Sequence, residues 1–422
     1  MDIYLLDWAN LLLRWLHVIT VIAWIGASFY FVWLDNHLVK PTADDLKAKG
    51  VDGELWAVHG GGFYNPQKYM VAPSNLPLAE ETGRSLASAT PSGGGAPHSG
   101  ATGGAVTLHW FYWESYWTWM SGFALFVVLY LFNASQMLID TRVYAWGAPW
   151  QAVLAALGFL LVGTAVYDIA CQTLGRTRDG GIGNDGRVMA VVAVFVVAAT
   201  WLACQLFAGR AAFLLIGATL ATMMTANVAH WIIPGQKKVI AQMRAGQKPD
   251  PIHGQRGKQR SVHNTYFGLP VLIAMLSNHY GMLHQHPHNW VVLCVLMAAG
   301  VAIRIFFVKR HKGVNSWGAV ALALALLAGL IVWMAPKPVP ATTAAEPVTL
   351  AQVQAIAAQR CLACHAGEAA QKGVRLDSEA GLVAHKAQVY QQVVVQRAMP
   401  LNNATGLTED ERALIGRWSL QP

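Results

Sequence analysis

The sequence predicts an all-α fold in two parts: an eight-span transmembrane helical bundle over residues 1–334 and a small helical domain over 348–422. Three observations predict it. Of 422 residues, 55% are hydrophobic and 12% charged, a balance too apolar for an ordinary soluble chain of this length. Charge-poor runs long enough to cross a bilayer recur through the first 335 residues. The stretch APKPVPATTAAEP at 335–347 then reads as a short, semi-stiff linker to the final 75 residues.

The spans fall at about 11–34, 116–139, 150–173, 188–208, 211–233, 265–283, 289–308 and 316–335. The first run is too long, and too rich in Trp beyond its centre, for a cleavable leader, so it is expected to be a retained helix. Between the first two spans lies a loop over 35–110. Its earlier part, GELWAVHGGGFYNPQKY, mixes aromatics with glycines as an ordered segment does, whereas the Gly/Ser/Ala tract at 83–105 is low-complexity. Cys171, Cys204 and Cys294 are isolated in or beside apolar runs, where packing is the expected role.

The final domain carries the most specific motif. Cys361, Cys364 and His365 form CLACH; Met399 precedes Pro400 in QRAMP, and LTEDERALIGRW follows. A bare CxxC also suits zinc or redox chemistry, but the adjacent His, the Met-Pro loop and the closing helix favour a covalent heme. Two thiols add across the heme vinyl groups, while His365 and Met399 are the expected metal ligands on the two faces of the iron. Residues 348–422 are therefore expected to form a c-type cytochrome domain with one heme c, its iron closed on both faces and suited to carrying single electrons. Any catalysis belongs to the preceding bundle.

Such heme attachment takes place outside the bacterial cytoplasm, which puts the cytochrome domain in the periplasm and, after eight spans, the N-terminus outside as well. On that assignment the inner loops hold 18 Lys and Arg, led by the loop 234–264 with Lys237, Lys238, Arg244, Lys248, Arg256, Lys258 and Arg260. The outer loops hold only Arg142 and Arg210. This asymmetry is what the positive-inside rule requires. It accounts for the net charge of +8 through the lipid bilayer and excludes nucleic acid as the expected partner.

Polar side chains inside the spans are the second source of information, because hydrocarbon tolerates them only when paired or liganded. His17 and His279 lie toward the outer side; His230 and His263 lie toward the inner side. Histidine ligates b-type heme, so His17 and His279 are candidates to bind a second, noncovalent heme b. A hydrogen bond to a neighbouring helix would explain either one as well. His263 and His279 are 16 residues apart, about 24 Å and 160° of turn on an ideal helix, so they face different ways. His109, Glu114, Asp168 and Arg304 complete the polar set. Arg304 has the alternative of snorkelling to the inner surface, and the block HWFYWESYWTWM around Glu114 invites a cofactor-cage reading but reads first as an interfacial aromatic belt.

RWLHVITVIAWIGASFYFVWLDNH, NVAHWIIPGQKKVI, HNTYFGLPVLIAMLSNHY and the terminal CLACH with RAMP resemble, in order and over nearly the whole chain, the bacterial membrane urate hydroxylases fused to a cytochrome c. The first run is also similar to the opening of the heme-b membrane protoporphyrinogen oxidases, which strengthens His17 as a ligand. The resemblance implies an inner-membrane oxidoreductase of purine breakdown that converts urate to 5-hydroxyisourate. It also implies that electrons pass to a respiratory-chain acceptor such as a soluble cytochrome c or a terminal oxidase. Hydroxylating the urate ring with water removes two electrons and needs proton acceptors, amides and cations. The inner-side residues His109, Glu114, Asp168, His230, His263, Asn264 and Arg304 offer those groups as catalytic candidates. A membrane-anchored cytochrome that only carries electrons is the rival reading; it leaves Glu114, Asp168, His263 and Arg304 without a task. A transporter with a fused sensor leaves the heme without one.

Overall fold

The computed structural model describes residues 2–70, 72–73, 108–335, 347–368 and 370–421. The 83–105 tract and all but the ends of the 335–347 linker lie outside the described residues. Among the described residues, five helices are long and apolar enough to cross a membrane: Trp8–His37, Pro149–Thr173, Asp185–Leu206, Gly209–Arg244 and Asn289–Arg310. Long helices follow from composition, since a segment surrounded by hydrocarbon must satisfy its backbone polar groups internally.

The other three expected spans are helical but fall short for local reasons. The 116–139 run begins as the Trp113–Phe126 helix, widens to a π-helix over Val127–Leu131, and breaks at Asn133 before the short Ala134–Met137 turn. The 265–283 run belongs to a helix that starts much earlier, Pro251–Leu276, whose first half carries Arg256, Lys258 and Arg260. It absorbs Pro270 and ends in a 3₁₀ turn, Ser277–His279. The last run forms Trp317–Trp333, 17 residues long. The basic stretch expected as a loop at 234–264 is instead mostly helix. The chain continues from Gly209–Ala226 through a π-helical segment, Asn227–Ile232, into Ile233–Arg244, and only 245–250 separates it from Pro251. Lys, Arg, Gln, Met and Ala are good helix formers, and counting their charge hid that propensity.

The chain forms two compact units, one of residues 1–14, 121–224 and 263–422, the other of 15–120 and 225–262. In the first, the Asp185–Leu206 helix packs against Pro149–Thr173 and Asn289–Arg310, and the latter lies along Trp317–Trp333. Glycines set the closest approaches. A Cβ on Gly163 would collide with the Thr219 methyl, one on Gly217 would lie 2.8 Å from Ala274 Cβ, and one on Gly300 would lie 3.1 Å from Leu269 Cβ. Small residues at crossings are the usual means of joining helices where lipid removes the hydrophobic driving force.

The same unit holds the C-terminal segment. Leu350–Arg360 and Glu409–Leu420 close on a core of Val353, Ile356, Leu382, Val393, Ile415 and Trp418. Each helix opens with a capping box, Thr349 with Gln352 and Thr408 with Glu411, which satisfies the free N–H groups of its first turn. Arg360 joins the two helices: its guanidinium donates to both Glu411 carboxylate oxygens and to the Thr405 carbonyl.

In the second unit, part of the long loop is ordered as two antiparallel ribbons, Val51–Glu54 with Gln67–Tyr69 and Ala57–His59 with Gly62–Tyr64. Among the described residues these short strands are a departure from an all-α fold. The inner ribbon turns at Gly60 and Gly61, with φ of 60° and 80°, the left-handed pair that a two-residue hairpin turn demands. Lys68 pairs with Asp35 at 2.8 Å and fastens the ribbons to the end of the first helix.

The helix crossing at Gly217 has a direct test. Gly217→Val should lower the thermal midpoint of the detergent-solubilised protein through overpacking of about 1–3 kcal/mol. Gly158→Val, at a glycine with open space around its Cβ position, should leave the midpoint almost unchanged.

Candidate functional site

Among the most enclosed polar groups of the first unit is His263, whose side chain is fully buried. Tyr167 and Cys171 lie four residues apart on one face of the Pro149–Thr173 helix, a spacing that stacks them one turn above the other. Both reach His263 Nδ1, the Tyr167 hydroxyl at 3.0 Å and the Cys171 sulfur at 3.7 Å. His263 Nε2 lies 4.0 Å from Asp185 Oδ1 at the start of the Asp185–Leu206 helix. Cys171 is thus a neighbour of the buried imidazole and not a packing residue alone. Beside His263, Asn264 donates to the Met224 carbonyl at 3.0 Å.

Arg304 is 5% exposed, so it does not snorkel out. Asp168 follows Tyr167 and is turned about 100° from it on the helix; its carboxylate accepts a hydrogen bond from Gln172. His279 is exposed in the Ser277–His279 turn while His263 is enclosed, in line with their opposed faces.

Within the second unit, His17 is half-buried, with Nδ1 3.1 Å from the Thr118 carbonyl. A carbonyl only accepts, so Nδ1 carries the proton and Nε2 keeps its lone pair, as a metal-ligating histidine requires. Glu114 lies one turn before Thr118, whose hydroxyl donates to the Glu114 carbonyl. His109 is exposed, with its ring edge against Phe111 at 4.5 Å, and His230 is exposed in the π-helical segment.

That π-helical segment presents a group that charge counting concealed. Arg260 is 3% exposed; its guanidinium donates to Asn227 Oδ1 at 3.1 Å and lies over the Trp231 ring at 5.1 Å, with Arg256 at 5.6 Å from the same ring. π-Helical turns recur at functional sites because the wider turn re-aims side chains. In sequence Arg260 is one of seven charges in a basic stretch, and nothing there distinguishes it.

In the C-terminal segment Cys361 is half-buried against the core, Cys364 is exposed, and Met399 packs on the same core. His365 Nδ1 is 3.0 Å from the Val374 carbonyl, which again leaves Nε2 free to ligate. The donor set of CLACH and Met399 therefore fits a heme c. Among the described residues no three His, Cys, Asp or Glu side chains converge as a metal-ion cluster.

Long apolar helices enclosing a few buried polar side chains make this an α-helical protein of a kind compatible with a membrane, with buried polar sites. The chain belongs to the urate oxidase N-terminal family, whose model matches residues 3–81 and 103–335. The family places it among urate oxidase-related oxidoreductases. No curated protein and no solved structure matches it.

The His263 cluster makes a measurable claim. Tyr167→Phe removes a partner from a fully buried imidazole and should destabilise the solubilised protein by about 1–2 kcal/mol, read as a lower thermal midpoint. Asp168→Asn, at a half-exposed position, should stay within about 0.5 kcal/mol of wild type.

Proposed function

We propose that the chain is a bacterial inner-membrane urate hydroxylase that oxidises urate to 5-hydroxyisourate and passes the electrons to a heme c on its own C-terminal domain. The observation that supports this reading most is one of composition: a urate oxidase-type helical region over 3–81 and 103–335 is joined in one chain to CLACH with a downstream Met399. Cys361 and Cys364 would hold the heme covalently, and His365 and Met399 would ligate its iron. When bound, this group supplies a one-electron acceptor with no open coordination position. His17, its Nδ1 fixed by the Thr118 carbonyl, would suit the role of a heme b ligand.

The overall reaction balances as urate plus water giving 5-hydroxyisourate, two protons and two electrons, with a new bond from water oxygen to the ring carbon. The electrons leave one at a time and go on to a soluble cytochrome c or terminal oxidase. The chain's own residues bind and orient urate, exclude bulk water and take up the protons. The eight-span topology, with the basic stretches inside and the cytochrome domain in the periplasm, belongs to this proposal and is supported by the 18-to-2 distribution of Lys and Arg.

A non-catalytic carrier needs only an anchor and the heme. The fully buried His263 held by Tyr167 and Cys171, together with Arg260 held by Asn227 and Trp231, supports a catalytic region instead.

Anaerobic addition of urate to the purified oxidised protein should reduce the c-heme absorption band, two heme equivalents for each urate consumed. Met399→Ala should keep the heme attached and slow urate-dependent respiration in membranes, with recovery on adding an artificial acceptor. A band that stays oxidised while urate disappears would remove the heme from the electron path.

A further inference from the structure

The Ser277–His279 turn, the Gly281–His284 helix and the start of the Gly209–Ala226 helix face residues 392–402 across a cavity of about 270 Å³. Its walls carry one cation, Arg210, together with His279, His284, Gln285, Gln392 and Gln396, and among the described residues no carboxylate. The two sides meet closely: a Cβ on Gly281 would lie 2.6 Å from the Gln396 carbonyl oxygen. The Asn402 amide donates to the Gln136 carbonyl and ties the segment down beside the cavity.

Each wall residue has hydrogen-bonding capacity to spare. Arg210 donates through Nε at 3.0 Å to Asn278 Oδ1, and the Tyr130 hydroxyl, which donates to the same oxygen at 2.9 Å, also lies within hydrogen-bonding reach of the guanidinium. A guanidinium has five N–H donors, more than these two partners occupy, and its two-pronged edge suits a planar anion. His284 is only 6% exposed, and its Nδ1 has no hydrogen-bond partner among the described residues. An unpartnered buried ring nitrogen is costly, and a bound ligand would relieve it. Burial and then the Arg210 charge push the His284 pKa down to about 4, so its imidazole is neutral at neutral pH and can donate or accept. The side chains of Gln285, Gln392 and Gln396 make no hydrogen bond among the described residues, and each primary amide offers a donor edge and an acceptor.

We propose that this cavity binds urate, with Arg210 gripping the planar purine anion, Gln285, Gln392 and Gln396 pairing with its alternating N–H and C=O groups, and His284 completing the site. The inference rests on the urate hydroxylation proposed above and places the substrate beside the heme-bearing segment, since Ala398 and Leu401 of the cavity wall flank Met399 and Pro400. A site here requires no electron transfer across roughly 30 Å of hydrocarbon. The residues around His263 and Arg260 then serve stability or proton handling and not substrate contact.

The test is urate binding to the full-length protein, reduced with dithionite so that bound urate is not consumed, measured by equilibrium dialysis with radiolabelled urate. Arg210→Ala should weaken binding roughly ten- to hundredfold, the loss of a charge-assisted contact. Gln396→Leu should weaken it less, and Lys312→Ala should match wild type. Wild-type protein should also show urate-dependent protection from hydrogen exchange within 278–285 and 391–402, a readout that does not depend on any variant folding. Inorganic phosphate competing as well as xanthine would overturn a purine site in favour of a general anion site. Unchanged binding in both Arg210→Ala and Gln396→Leu, or protection confined to other segments, would overturn the location while urate-driven heme reduction kept the proposed function intact. Wild-type protein that neither binds urate nor is reduced by it would overturn both.

Discussion

Partnering of buried polar groups is the constraint on which the rest of this structure depends. Apolar helices surround them, and an unpaired hydrogen-bonding group there costs far more than it does in water. The structure meets the constraint locally. His263 has Tyr167 and Cys171 from one helix face, Asn264 uses the Met224 carbonyl, and Arg260 uses Asn227 and the face of Trp231. These contacts fix how the helices rotate about their axes, which apolar packing alone leaves loosely specified. Glycines at 163, 217 and 300 then fix how closely the helices approach.

Helix content and order were legible in the sequence because hydrophobic runs are a direct record of the solvent a segment meets. Helix ends were less legible. The break at Asn133 and the π-helical turn at Asn227–Ile232 depend on where carbonyls find partners, and composition does not record that. The basic stretch after 233 was read for its charge, which concealed its helix propensity. The ordered part of the long loop was legible from its aromatics and glycines, and the hairpin at Gly60–Gly61 shows why glycine was needed there.

Of the candidate site residues, CLACH and Met399 stood out as a motif, because covalent heme attachment would dictate the CxxCH spacing. His17 and His263 stood out because histidine is rare in hydrocarbon. Arg210 and Arg260 did not: each was counted as topological charge, and only three dimensions separate a charge facing lipid headgroups from one aimed at a protein amide or a cavity. His284 sits in HQHPH, between two expected spans, and it is buried against the start of the Gly209–Ala226 helix. Short polar loops between spans thus conceal enclosed groups whenever a further domain folds down over them.

The close fit of Gly281 against the Gln396 carbonyl bears on how a fused carrier operates. A domain on a slack tether collects an electron at one place and delivers it at another, and its rate follows the length of the tether. A domain seated backbone to backbone has a single station. On the proposed reading it receives electrons through the face near Met399, and any onward partner has to come to a surface of the domain that stays exposed, as Cys364 is. Fusion then works less like a leash than like a fixed terminal. Exchanging this domain for a cytochrome from another protein would fail at the seat well before it failed at the heme, because the backbone that Gly281 admits so closely is that of Gln396, and a different domain brings a different surface to that place.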